Sequence, residues 1–255
     1  MSYSSEVLAD APRGYWRLGA SPTVDSSGNG YTLTVSGSPV TNAMPLIVED
    51  TDPSVQFIDP QVAGSTNFYT LAAGAGAADD FNYTGTASFT AELWFRMVYS
   101  DTDFVRLLSH ESATDGWLLY AQITDGIGFG RLRSGAFQLQ HLVPAPRYNT
   151  TYHLVGKYDG TQLRLFLNGL EAMPALADTT AIVSFSANLR IARASPGGDN
   201  FAGWIDEVAV YDGLLSDARI LAHYQAGISW STPNYSSGLV PADARFETRR
   251  RIGPY

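Results

Sequence analysis
The chain contains no cysteine, so it forms no disulfides and no thiolate metal sites. Lysine is almost absent: Lys157 is the only one, beside 15 arginines. No apolar run approaches the ~20 residues that a membrane-spanning helix needs. Residues 1–10 carry neither a basic stretch nor an apolar core, which reads as no secretory leader and a soluble protein. Positive charge is scarce overall. The net charge of −9 argues against nucleic acid as the main partner, because phosphate binding needs a basic face.

Familiar catalytic patterns are missing too. There is no Gly-x-Ser-x-Gly nucleophile turn. His110, His141, His153 and His223 have no metal-ligand spacing and read as packing or surface groups. The glycines at 126, 128 and 130 precede no helix, so a phosphate cradle is not expected. A bulge or close backbone approach is.

What is present points to β structure. Hydrophobic residues make up 45% of the 255, enough for a sizeable core, and aromatics make up 12%. The 24 glycines and 13 prolines imply many turns between short strands. Phe89, Ala91, Leu93, Phe95 and Met97 alternate with Thr90, Glu92, Trp94 and Arg96, the period of a strand with two faces. Strands are expected near 104–109, 116–123, 126–133, 137–142, 188–194 and 203–211. Residues 152–172 read as a three-stranded meander, with Asp159-Gly160 and Asn168-Gly169 at its turns. Ser5 is placed to cap a short helix stopped by Pro12. Ser216 is placed to cap a second helix to about Ala226, with Gly227 as its stop. Residues 239–255 hold Arg245, Arg249, Arg250 and Arg251 against Asp243 and Glu247, a basic end on an acidic body.

Five segments together resemble the laminin-G-like (concanavalin A-like lectin/glucanase) domains of bacterial and phage proteins. They are 7–19 (VLADAPRGYWRLG) with the turn 25–30 (DSSGNG), 87–95 (ASFTAELWF), 152–169 (YHLVGKYDGTQLRLFLNG), 201–211 (FAGWIDEVAVY) and 215–224 (LSDARILAHY). The resemblance spans about residues 5–227, in the family's order. It implies an all-β antiparallel jelly-roll sandwich over 1–228, with a short C-terminal helix. Residues 229–255 are expected to form a linker and basic arm.

The resemblance also implies site residues. A structural calcium would take Asp25, Asn29 and Asp206, since hard cations want oxygen ligands. Turn formation by Asp25 and a backbone-bonded core role for Asp206 are the competing reading. Trp117, Tyr158 and Trp230 are candidates to stack on a carbohydrate, with core packing as the alternative. The Glu-x-Asp-x-x-Glu strand of the family's retaining glucanases is missing, and Asp206-Glu207, being adjacent, are expected on opposite faces. The expectation is therefore a protein that is not an enzyme. The first reading is a virion structural protein, a capsid decoration or tail accessory subunit. Its basic arm (Arg245, Phe246, Arg249, Arg250, Arg251, Tyr255) would dock on other virion proteins or on neighbouring subunits. The alternative is an extracellular carbohydrate-binding or adhesion module for cell-surface glycans, with a glycoside hydrolase as the third reading.

Overall fold
The computed structural model describes residues 2–48, 51–57, 67–98, 104–122, 124, 126–142, 146–195 and 197–229. In chain order these form α1 (Tyr3–Ala9), β1 (Gly14–Trp16), β2 (Thr34–Ser36), β3 (Val40–Ala43), β4 (Ser54–Phe57) and β5 (Phe68–Leu71). A 3-10 turn at Ala78–Phe81 leads to β6 (Phe89–Met97), β7 (Phe104–Glu111), β8 (Gly116–Gln122), β9 (Gly126–Arg133) and β10 (Ala136–Leu142). Then come β11 (Thr151–Tyr158), β12 (Gln162–Leu167), β13 (Leu170–Glu171), β14 (Leu176–Ala177), β15 (Leu189–Ile191), β16 (Gly203–Tyr211) and α2 (Asp217–Ile228).

The strands form two antiparallel sheets. One is ordered β13-β12-β11-β6-β16-β4-β3, with β1 also on β16 and β14 on β12. The other is ordered β10-β9-β8-β7-β15-β5-β2. Phe89, Leu93 and Phe95 of β6 meet Trp117 and Leu119 of β8 and Phe129 of β9 in the main core. The sheets approach closely at Gly156, where a Cβ would lie 2.3 Å from Phe129 Cγ. This is the expected jelly-roll sandwich with a C-terminal helix. No helix among the described residues is long and apolar enough to cross a membrane.

The turns follow local chemistry, with two revisions. Asn168 (φ 52°) and Gly169 (φ 80°) are both left-handed, as a type I′ turn requires. At the other turn only Gly160 is left-handed. There Asp159 Oδ1 accepts from the N–H groups of Thr161 and Gln162, each at 2.8 Å, and the carboxylate builds a longer loop. The first helix is capped by Ser2, not Ser5: Ser2 Oγ accepts from Ser5 N. Ser216 caps α2 as expected, but Gly227 lies inside that helix rather than ending it. Its missing side chain makes room for Trp94, whose Cζ2 would be 2.3 Å from a Cβ.

Both helices lie over the outer face of the first sheet. Tyr3 and Val7 of α1 and Ile220 of α2 cover Trp94, Val155, Phe166 and Tyr211 in a second core. Thr90, Glu92 and Trp94 are therefore buried, as are the residues that alternate with them. The outer face of the second sheet carries no helix among the described residues.

Candidate functional site
The face without a helix belongs to β7, β8, β9 and β10 and continues onto β15 and β5, and much of it is enclosed: Ser109, Leu118 and Tyr120 are fully buried and Arg106 and Glu111 nearly so. A bulge between Arg106 and Leu108 resets the alternation of β7. Leu107, Leu108, Trp117 and Leu119 then point into the core, and Phe104, Arg106, Glu111 and Tyr120 point away from it. On β9, a Cβ at Gly128 would lie 2.3 Å from Tyr120 Cζ, and one at Gly130 would lie 2.3 Å from Leu139 Cδ2. The expected close backbone approach is thus real. These glycines let Tyr120 and Leu139 lie flat over the strand.

An aromatic and charged patch results. Phe104 meets Tyr120 edge to face at 4.8 Å and Phe137 at 6.3 Å. Phe137 is 43% exposed and Phe104 is half-buried. The Arg106 guanidinium lies 4.0 Å from the Phe104 centroid and 5.6 Å from that of Phe137. Its Nε donates to Glu111 Oε1 at 2.9 Å, and Nη1 meets Asp199 Oδ2 at 3.2 Å. Burial raises the Glu111 pKa despite the facing arginine. A cleft of about 320 Å³ adjoins Glu111, lined also by Ala73, Ser112, Ser186, Asn188 and Ser195. The exposed Phe137 ring, on the same face as a cleft lined by hydroxyl and amide groups, is chemistry that suits a polyhydroxylated ligand.

The residues expected to stack on sugar are elsewhere. Trp117 is fully buried, donating from Nε1 to Phe81 O at 2.8 Å. Tyr158 is fully buried too, donating to Asp178 O at 2.9 Å, with the Arg131 guanidinium 3.7 Å from its ring centroid. Neither can meet a sugar from solvent. Trp230 lies outside the described residues, as do Arg245, Phe246, Arg249, Arg250, Arg251 and Tyr255.

Asp25, Asn29 and Asp206 have separate structural tasks. Asp25 Oδ1 accepts from Tyr15 N (3.0 Å) and Ser27 N (2.9 Å), and Oδ2 from Ser27 Oγ (2.8 Å) and Tyr31 N (3.0 Å). Asn29 Nδ2 donates to Arg13 O at 2.8 Å. A cleft of about 420 Å³ opens there between Pro12, Arg13, Ser27, Asn29, Tyr31 and Asp212. Asp206 is buried and accepts from Leu46 N at 3.0 Å. A calcium ion would have to displace four donors at Asp25. The donor set does not fit the ion as it stands. Nor do Asp206 and Glu207 face opposite ways. A bulge with Glu207 at φ 53° turns Glu207 to the Tyr15 hydroxyl and to Arg17 Nη2 (3.0 Å), while Asp206 reaches Leu46. Tyr15 and Leu46 both belong to the core beneath the helices.

Sequence reasoning missed a buried ionic cluster in that core. Glu92 is fully buried and accepts from His153 Nε2 (3.1 Å), from His223 Nδ1 (3.0 Å) and from the Tyr211 hydroxyl. His223 Nε2 donates on to Asp10 Oδ2 at 2.9 Å, and Arg219 ties Asp10 and Glu6 of the N-terminal segment to α2. Burial opposes charge on Glu92, but His223 and His153 outweigh it and hold the carboxyl well below its usual range. Burial likewise opposes the His223 charge. Glu92 and Asp10 outweigh it, and its pKa is raised. Both ring nitrogens of His223 face carboxylates, an arrangement that favours the imidazolium. Its place four residues after Arg219 on α2 was the available signal, but nothing in the spacing names Glu92.

Comparison with known proteins agrees with this architecture. No curated protein sequence matches the chain. Among solved structures, domain 4 of AbnA, a GH43 extracellular arabinanase from Geobacillus stearothermophilus in complex with arabinotriose, superposes with a TM-score of 0.66. It is 16% identical, over 84% of this chain and 98% of that one. A structure of botulinum neurotoxin type C, whose cell entry depends on interaction with two ganglioside molecules, has a TM-score of 0.65 at 13% identity over 88% of this chain. The binding domain of botulinum neurotoxin DC in complex with SialylT has a TM-score of 0.65 at 12% identity over 86%. This chain spans about half, 52%, of each neurotoxin chain. The arabinanase corrects the expectation of a protein that is not an enzyme: a domain of a catalytic protein shares this fold, so the missing carboxylate strand does not carry that conclusion. The model of the laminin-G-like concanavalin A-like lectin/glucanases superfamily matches residues 71–221, more than half of the sequence, and the chain belongs to that superfamily.

Proposed function
We propose that the chain is an extracellular or surface carbohydrate-binding domain whose platform is the helix-free face of the second sheet, around Phe137. One observation carries this reading. Phe104 and Phe137, steadied by Arg106, present aromatic surface beside the polar cleft at Glu111 and Asn188. The solved relatives bound to arabinotriose or SialylT lend the ligand class. A glycan array followed by calorimetry tests it. Phe137→Ala is expected to weaken glycan binding about threefold to tenfold, the worth of an aromatic contact, with thermal stability unchanged. Absence of glycan binding, or binding indifferent to Phe137→Ala and Phe104→Ala, would count against it. The virion reading rests on residues 239–255, outside the described residues, and is second. Co-sedimentation of the chain with particles, lost on removing 239–255, would support it.

A further inference from the structure
The same helix-free face carries two arginines that the patch above does not use. Arg190 of β15 stands opposite Ser109 of β7 and Thr70 of β5, on the side away from the core. Arg193 follows after Ala192, whose left-handed φ of 70° bends the chain. Both side chains are half-buried, and both converge on one ring: their guanidinium carbons lie 5.1 Å and 4.8 Å from the centroid of Phe68. Arg190 Nη1 donates to Ala194 O at 3.0 Å, but Nε of each arginine is buried without a hydrogen-bond partner. Neither forms an ion pair among the described residues. Arg106, Arg131 and Arg133 on the same sheet all do. Among the described residues, the carboxylates that follow on β7 and after β15 are committed elsewhere. Glu111, two residues beyond Ser109, and Asp199 both bind Arg106. Burial, and then the neighbouring Arg193, lower the pKa of Arg190, the mark of a crowded cationic pair. On a chain of net charge −9 this pair is a local exception.

We propose that Arg190 and Arg193, braced on Phe68, form a subsite for the carboxylate of an acidic sugar. A planar carboxylate matches the fork of a guanidinium, and it relieves the repulsion within the pair. Ser195 and Asn188, which flank the arginines in sequence, line the polar cleft, so the subsite adjoins the platform. The inference rests on the carbohydrate reading and narrows its ligand class. A carboxylate could come from a uronic acid within a glycan or from a terminal sialic acid. Matched probes separate these sources: trigalacturonate against its methyl ester, and sialyllactose against lactose.

Calorimetry on the whole chain is expected to show the acidic member of one pair bound about tenfold or more tighter than its neutral partner. Arg190→Gln with Arg193→Gln should erase that preference, and lysine at both positions should restore only part of it. On the unaltered chain the preference should shrink as salt rises from about 50 to about 500 mM, a readout that does not depend on a variant folding. Equal affinity for acidic and neutral probes, or a preference that survives the double glutamine variant, overturns the subsite. Neutral-glycan binding that Phe137→Ala weakens, without acidic preference, removes the subsite and leaves the platform. Acidic preference that the arginine variant erases and Phe137→Ala leaves untouched removes the platform and keeps the subsite. Binding of no probe overturns the subsite, and an empty glycan array beside it overturns the platform as well.

Discussion

Replacing Glu92 with glutamine tests the buried cluster that fastens both helices to the first sheet. The wild-type carboxylate accepts from His153, His223 and Tyr211 and lies wholly out of solvent. An amide of the same shape has one acceptor oxygen, and its NH₂ group would face a histidine N–H. Charge is lost while His223 stays buried with Asp10 as its remaining carboxylate partner. Removing one partner of a buried pair costs about 3–5 kcal/mol. At this chain length each kcal/mol lowers the melting midpoint by about 2–4 °C, so a fall of about 10 °C is expected. Urea unfolding across pH supplies the sign. The Glu92 pKa is lowered on folding, so its contribution is present above ~4.3 and is lost as pH falls through the folded value. The His223 pKa is raised, so its contribution is complete below ~6.5 and is lost as pH rises through the folded value. The gap between wild type and Glu92→Gln should therefore be widest between about pH 4.3 and 6.5. A loss under about 1 kcal/mol, or a gap that ignores pH, would refute the reasoning.

Three further outcomes follow from particular contacts. Burial lowers His110 to about 4, so the folded ring is neutral where the unfolded one begins to charge. Stability should fall by up to about 3 kcal/mol as pH drops from ~6.5 to ~4, and His110→Gln should flatten that slope in urea titrations. Gly227→Ala should lower the thermal midpoint although alanine favours helix by about 1 kcal/mol, because the new Cβ meets Trp94; a rise in the midpoint would show that Trp94 can yield. Added calcium should leave the midpoint unchanged, since Asp25 already accepts from Tyr15, Ser27 and Tyr31, and a calcium-dependent rise in scanning calorimetry would reinstate the ion.

Much of the fold was legible because its signals are local. Period-two alternation over 89–97, glycine turns in 152–172 and the Ser216 cap act within a few residues, and each reappears in place. The short β3 and β14 gave no such signal, since they are defined by their pairing to β4 and β12. The candidate site was legible in part. Glycines 128 and 130 announced close approach, while the choice of Trp117 and Tyr158 as sugar contacts failed. Aromatic volume does not say on which side of a pleat a ring falls.

By itself the sequence determined that this is a many-stranded antiparallel β protein of the laminin-G-like kind, closed by a capped helix. Those properties follow from backbone preferences and alternation that neighbouring residues set. Only the tertiary structure decided which faces are covered. Two sheets have four faces, and alternation marks them in pairs without naming the one that stays open. The two helices bury the face with Glu92 and Trp94, and the stacked sheets bury the inner two. What remains is the face where a bulge at Arg106 and a strip of glycine leave Phe104, Phe137, Arg190 and Arg193 within reach of a ligand.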